Sequence, residues 1–291
     1  MRFLNYGHLC ETTARFINGV TGNYPAAPHD LRPSYARAIN TIRPTTLPAQ
    51  PAGITIDYED SGWVTYCVER SIFPHIVGLA TASHGATREA WDRHVVAALD
   101  LIREIHPALR NIVDLFVTDV VVLNSGANGG GSANTMPGVV LVSPAPAWTT
   151  LDYAMCLVHE GLHTALFILE CTYEMFTLPP KILEQEENRA YSAIKMEPRP
   201  FHAALHAAAV TVPLMAMEHQ QGGSTLVDQY RDSLRASCAD MKARRRLCTP
   251  YGLLLLDELC TWAEADELDF GRVIHSLTSP EYTGYKPPVA A

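Results

Sequence analysis

The chain is 291 residues long, 47% hydrophobic and 18% charged, which gives enough apolar material for a core and excludes a disordered chain. Lysine and arginine total 22 against 31 aspartates and glutamates, so the net charge of −9 argues against nucleic acid as a partner and against a polybasic membrane anchor. No apolar run reaches the roughly 18 to 20 residues of a membrane span; the best candidate, Leu205 to Met217, is interrupted by His206 and Pro213.

The first 52 residues are rich in Pro, Asn and Thr and read as loop, with short helices near Arg2 to Asn18 and Ser34 to Ile42. Ile54 to Tyr58 reads as a short strand. From Ala86 to Ile105 the residues Trp91, Val95, Ala98, Leu101, Ile102 and Ile105 follow the helical period, and Pro107 ends the helix. Ile112 to Leu123 is apolar and β-branched and predicts a strand. The Gly-rich stretch Ser125 to Pro137 lacks the Lys-Ser/Thr of a phosphate loop and reads as a loop over a site or a connector. Val139 to Val142 reads as a second strand. Helices are expected over Asp152 to Glu170, Glu184 to Met196, Pro200 to Gln221, Ser224 to Leu247 and Tyr251 to His275, and an extended tail from Pro280. Arg244 to Arg246 reads as a helix C-terminus complementing its own dipole.

The expected fold is α+β, mostly α: a helical domain with a small β-sheet beside the helix expected over Asp152 to Glu170. With no internal repeat and no sharp composition shift, 1–291 reads as one domain. Its parts are 1–110, helical and loop; 111–221, the core that carries the site; and 222–291, C-terminal helices. The seven cysteines are scattered, odd in number and without a CxxC, which predicts small buried hydrophobes in a reducing compartment. The N-terminal residues lack the apolar core of a signal peptide, so the expected location is cytoplasmic.

The chemistry-bearing motif is His159-Glu160-Gly161-Leu162-His163, an HExxH on an expected helix. Histidines at i and i+4 share a face, so both imidazoles reach one metal ion, and Glu160, about 100° round the helix, approaches the metal's water or substrate without ligating. A catalytic site usually holds three protein ligands. Two regions offer the third: the carboxylates Glu184, Glu186 and Glu187, at a peptidase-like distance from His163, and the pair His202 and His206 on the helix that Pro200 starts.

Three blocks in order, MPGVVLVSP, LDYAMCLVHEGLH and YSAIKMEPRPFHAALHAAAV, resemble the HExxH-type 2-oxoglutarate-dependent peptide β-hydroxylases of ribosomal natural-product (RiPP) biosynthesis. The resemblance covers about Pro137 to Met217. Its elements here are Pro137-Gly138, Leu157 to His163, Glu197-Pro198-Arg199-Pro200 and Leu205-His206; where such families show an aromatic-basic pair, this chain reads Tyr191-Ser192-Ala193-Ile194-Lys195. It implies iron(II), 2-oxoglutarate and O₂ acting on a peptide or amino-acid side chain, with a leader-peptide-binding partner in reach. It also implies His159, His163 and His206 as metal ligands. Six-coordinate iron with three protein ligands keeps two positions for the keto acid and one for O₂. The usual iron oxygenase triad of two histidines and a carboxylate would be departed from.

A cationic anchor is needed for the distal carboxylate of 2-oxoglutarate, and Arg199 is the candidate. On one continuous helix it would share a face with His206, about 10.5 Å away along the axis. Tyr191 and Ser192 are candidates to hydrogen-bond the keto acid or peptide. The alternative reading is a zinc(II) metallopeptidase with Glu160 as general base and Glu184 or Glu187 as third ligand. A non-catalytic binding protein is the third possibility, and the intact motifs weigh against it.

Overall fold

The computed structural model describes residues 1–286 and is mostly helical with a small mixed sheet. In chain order the elements are α1 (Tyr6–Thr21), α2 (Leu31–Ile39), β1 (Thr55–Asp57), α3 (Gly62–Glu69), α4 (Pro74–Val77), α5 (Gly85–Ile105), α6 (Pro107–Phe116), β2 (Asp119–Val122), β3 (Gly129–Gly131), β4 (Val139–Ser143) and α7 (Thr150–Tyr173). They continue with α8 (Pro180–Leu183), β5 (Arg189–Tyr191), β6 (Pro198–Pro200), α9 (Phe201–Gln220), α10 (Thr225–Ala243), α11 (Pro250–Ala263) and α12 (Phe270–Ser276). The chain divides into two compact units, Thr13–Ala165 and Met1–Thr12 with Leu166–Ala291; the divisions fall inside α1 and α7.

In the unit Thr13–Ala165 the sheet order is β1-β2-β4-β3. The first three strands are parallel, with Val120 opposite Ile56 and Val140, and β3 closes one edge antiparallel to β4 with Gly130 opposite Val142. Every residue of β2 and β4 is buried, which explains why both read as continuous rather than alternating apolar runs. Trp63, Cys67, Ile76 and Met136 pack with Val121 and Leu141 to form the core on one side. Arg43 is buried there, its guanidinium 4.4 Å from the Trp63 ring and 2.8 Å from Asp119 Oδ2, so the charge is compensated. Gly138, at φ +85°, turns the chain into β4 where a Cβ would stand 2.6 Å from Thr118 Oγ1.

Two expectations change here. Ile112 to Leu123 is not one strand: α6 runs to Phe116 and only Asp119–Val122 is extended. Pro107 starts α6 at a position where its missing N–H is not needed, His106 caps it, and Leu109, Ile112, Val113 and Phe116 form a buried helical stripe within the apolar run. The Gly-rich stretch is not all loop, because Gly129–Gly131 is the edge strand β3.

Ahead of α5, Glu59 accepts hydrogen bonds from the backbone N–H and hydroxyl of Ser83 and from Arg88, whose guanidinium also lies 4.4 Å from the Tyr58 ring. Burial pushes the Glu59 carboxyl up, but these hydrogen bonds pull it down further, to about 2. A carboxylate depressed in the folded state stabilises the fold above its unfolded value, and that contribution is lost as pH falls through the folded one. Glu59→Gln is therefore expected to lose about 1 to 2 kcal/mol at pH 7, after allowance for solvent screening. Urea titrations of wild type and variant from pH 7 down to pH 2 should show the difference shrinking below about pH 4.5; a constant difference would contradict this.

In the unit that holds the C-terminal half, α9 is apolar on all sides and buried from Phe201 to Met217 apart from His202, Ala203, Ala207 and Leu214. The expected helix over Glu184 to Met196 does not form. Glu186–Asn188 is a single 3-10 turn, and β5 pairs antiparallel with β6, Ala190 opposite Arg199. Ser192 N–H donates to the Glu197 carbonyl, Met196 takes a left-handed φ of 53°, and Pro198 and Pro200 are tolerated because the ribbon has only two strands. The region expected as one helix from Tyr251 to His275 is two, α11 and α12, with Asp269 capping the second by accepting from Arg272 N–H. The helix expected from Ser224 to Leu247 ends at Ala243 and is followed by a 3-10 turn, Arg245–Leu247. Of the expected tail, Pro280–Tyr282 is also a 3-10 turn, and residues 287–291 lie outside the described residues.

By length and composition α7 would suffice to cross a membrane, but 61% of that window is buried, so it serves as a core helix. All seven cysteines are free, four of them buried.

Candidate metal centre

The HExxH lies in the middle of α7, within the unit Thr13–Ala165. Gly161, between the motif's acid and its second histidine, faces the α6–β2 junction, where a Cβ would make ordinary van der Waals contact with Val117 at 3.4 Å. With that face against the α6–β2 junction, His159 and His163 project from another. Their Nε2 atoms are 3.1 Å apart and their rings meet edge-on at 72°. Both imidazoles are partly open to solvent, as a site that must admit a ligand requires.

Glu160 is buried, and burial raises its carboxyl above the ordinary carboxylate range, against the opposing pull of His159 and of the Ser132 hydroxyl. Ser132 Oγ donates to Glu160 Oε2 at 2.7 Å, and Glu160 Oε1 lies 3.9 Å from His159 Nε2. The nearest part of β3 is Gly130, where a Cβ would stand 2.7 Å from Cys156 Sγ and 3.0 Å from Glu160 Oε1.

One ligand atom from each of His159, Glu160 and His163 falls within 4.8 Å of the others, the one such group among the described residues. The donor set fits a divalent transition metal: neighbouring imidazole nitrogens bound at 2.0 to 2.1 Å are about 3 Å apart at angles near 90° to 100°.

The other expected site residues stand in the second unit. His206 is buried, its Nε2 2.9 Å from Glu170 Oε1 and its ring 5.2 Å from Phe167. His202, one turn earlier, stands near Phe176, and burial lowers its pKa. Arg199 does not lie on a helix with His206. It sits in β6, its side chain 45% exposed and 3.3 Å from Glu197 Oε1, because Pro198 and Pro200 hold the segment extended. Tyr191 is in β5, fixed through its backbone: its N–H donates to Asp240 Oδ2 and its carbonyl accepts from Ser237 Oγ. Ser192 is buried in the turn, its Oγ accepting from Lys195 N–H at 3.4 Å. Glu184, Glu186 and Glu187 are all exposed.

Compared with known proteins, the chain matches no family model and no curated protein. Three residues beside the expected ones were not legible as site residues. Gly130 and Ser132 gave only a glycine run without the lysine of a phosphate loop. Glu170, the partner of His206 in the other unit, gave only its place at the end of an expected helix.

Proposed function

We propose that the chain is a mononuclear metalloenzyme centred on His159 and His163. Of the reactions such a helix can host, we propose iron(II)- and 2-oxoglutarate-dependent hydroxylation of a side chain in a peptide. The observation that carries the metal centre is the convergence of the two Nε2 atoms beside a buried carboxylate. The choice of reaction is supported by the resemblance of the three sequence blocks between Pro137 and Met217, and His206 is taken as third protein ligand on that resemblance alone. Iron(II) held there would supply the coordination positions for the keto acid and O₂, whose joint consumption yields succinate, carbon dioxide and the hydroxylated product.

This chain's own contribution is to orient two imidazoles from one helix face and to keep a carboxylate dry beside them. Arg199 remains the candidate anchor for the distal carboxylate of the keto acid. Its present partner is Glu197 in an exposed ion pair, worth about 0 to 1 kcal/mol, so removing it leaves the fold intact. Arg199→Ala is expected to weaken 2-oxoglutarate binding by about fivefold, the scale for a charge pair in contact with solvent, while iron is retained. Lysine at this position should recover only part of the loss, since it lacks the two-pronged geometry. Titration with 2-oxoglutarate on iron-loaded wild type and variant tests this; equal affinities would move the anchor elsewhere, with Arg189 next.

A zinc metallopeptidase is the second reading, favoured by the position of Glu160. A buried carboxylate 3.9 Å from a ligand nitrogen is placed to take a proton from a metal-bound water. The carboxylates it would recruit as third ligand, Glu184 and Glu187, are exposed on the surface of their unit.

A further inference from the structure

Glu160 is near enough to the histidine pair to become a ligand itself, since its carboxylate oxygen belongs to the same 4.8 Å group as the two imidazole nitrogens. A divalent cation between those nitrogens would attract a carboxylate strongly in so dry a setting. Two contacts, one from the edge strand β3 and one from Ser132 just after it, oppose that movement. Ser132 Oγ holds Oε2 at 2.7 Å, turned to the strand. Gly130 of β3 faces the other oxygen: a Cβ there would be 3.0 Å from Oε1 and 3.2 Å from Cγ, so only a residue without a side chain fits beside the carboxylate.

We infer that Ser132 is a positioning residue which, with the backbone at Gly130, keeps the Glu160 carboxylate out of the metal's coordination sphere. Glu160 thereby stays available to solvent or substrate protons instead of being consumed as a third ligand. The Gly-rich segment is then part of the metal centre: its glycine is needed for closeness and its serine for the hydrogen bond. The inference rests on the reading that His159 and His163 hold a metal.

The test uses the full chain, metal-free and then loaded without oxygen with one equivalent of cobalt(II), read by the visible d–d absorption and by competitive titration of affinity. Ser132→Ala is expected to change the d–d spectrum as an oxygen ligand is added, and to tighten cobalt binding by roughly tenfold as the carboxylate joins the two imidazoles. Ser132→Thr, which keeps the hydroxyl, should match wild type. Ser132→Ala combined with Glu160→Ala should lose both changes, and equal melting temperatures of the metal-free proteins would exclude a general loosening. A wild-type spectrum in Ser132→Ala, or a change that persists in the double variant, would overturn the inference while leaving the metal centre standing. Failure of the wild type to bind cobalt would instead overturn the metal centre, and the inference with it.

Discussion

Replacing His159 or His163 with alanine is expected to abolish stoichiometric metal binding. In the proposed centre each would supply one of very few protein donors, and even outer-shell partners are worth 10- to 100-fold in metal affinity, so loss of a direct ligand should exceed about 100-fold. The fold should survive, because neither ring is fully buried and the packing of α7 relies on Leu157, Val158, Leu162 and Ala165 instead. Glu160→Gln is the contrasting variant: it should keep the metal and lose turnover. Metal analysis after dialysis, alongside thermal melts of the metal-free proteins, separates the two outcomes. Retention of one equivalent of metal by either histidine variant would refute the argument from a shared helix face.

His206→Ala is expected to cost stability whatever the reaction. Its ring stands 2.9 Å from Glu170 Oε1 and packs near Phe167 within the same unit. Truncation strips a partner from a largely buried carboxylate, at about 1 to 3 kcal/mol, and adds a cavity. A fall in melting temperature of several degrees should follow, at about 2 to 4 °C per kcal/mol for a chain of this size. In the oxygenase, iron is lost as well. Glu187→Ala, at an exposed position, should change stability by less than about 0.5 kcal/mol and keep the iron. His206→Gln separates the effects, since it restores a polar neighbour for Glu170 without restoring an imidazole. Iron lost from Glu187→Ala and kept by His206→Ala would favour the peptidase.

The parts of the fold visible in the sequence are those where one physical signal acts alone. Trp91 to Ile105 carries an uninterrupted helical stripe and is a helix. The HExxH required a helix to bring its histidines together, and it has one. Ile112 to Leu123 misled because complete burial erases period: a buried helix turn and a buried parallel strand are both continuous apolar runs, and only Pro107 and His106 at the start favour the helix. The segment Glu184 to Met196 has good helix formers, but two prolines beyond it hold Pro198–Pro200 extended, and tertiary pairing with that strand outweighs local propensity. That pairing also removed the helical geometry expected to link Arg199 with His206. Ser132 could not be anticipated, because the hydrogen bond to Glu160 spans 28 residues and depends on β3 lying over α7, a placement no local pattern encodes.

The most direct test of the proposed reaction is anaerobic reconstitution of the metal-free chain with iron(II), followed by addition of 2-oxoglutarate and then of O₂. The oxygenase predicts one equivalent of iron, a visible metal-to-ligand absorption band that saturates with 2-oxoglutarate, and succinate formed when O₂ is admitted, all absent in His159→Ala. Tight binding of zinc in place of iron, with no band and no succinate at millimolar 2-oxoglutarate, would contradict the oxygenase and leave the hydrolytic reading in its place.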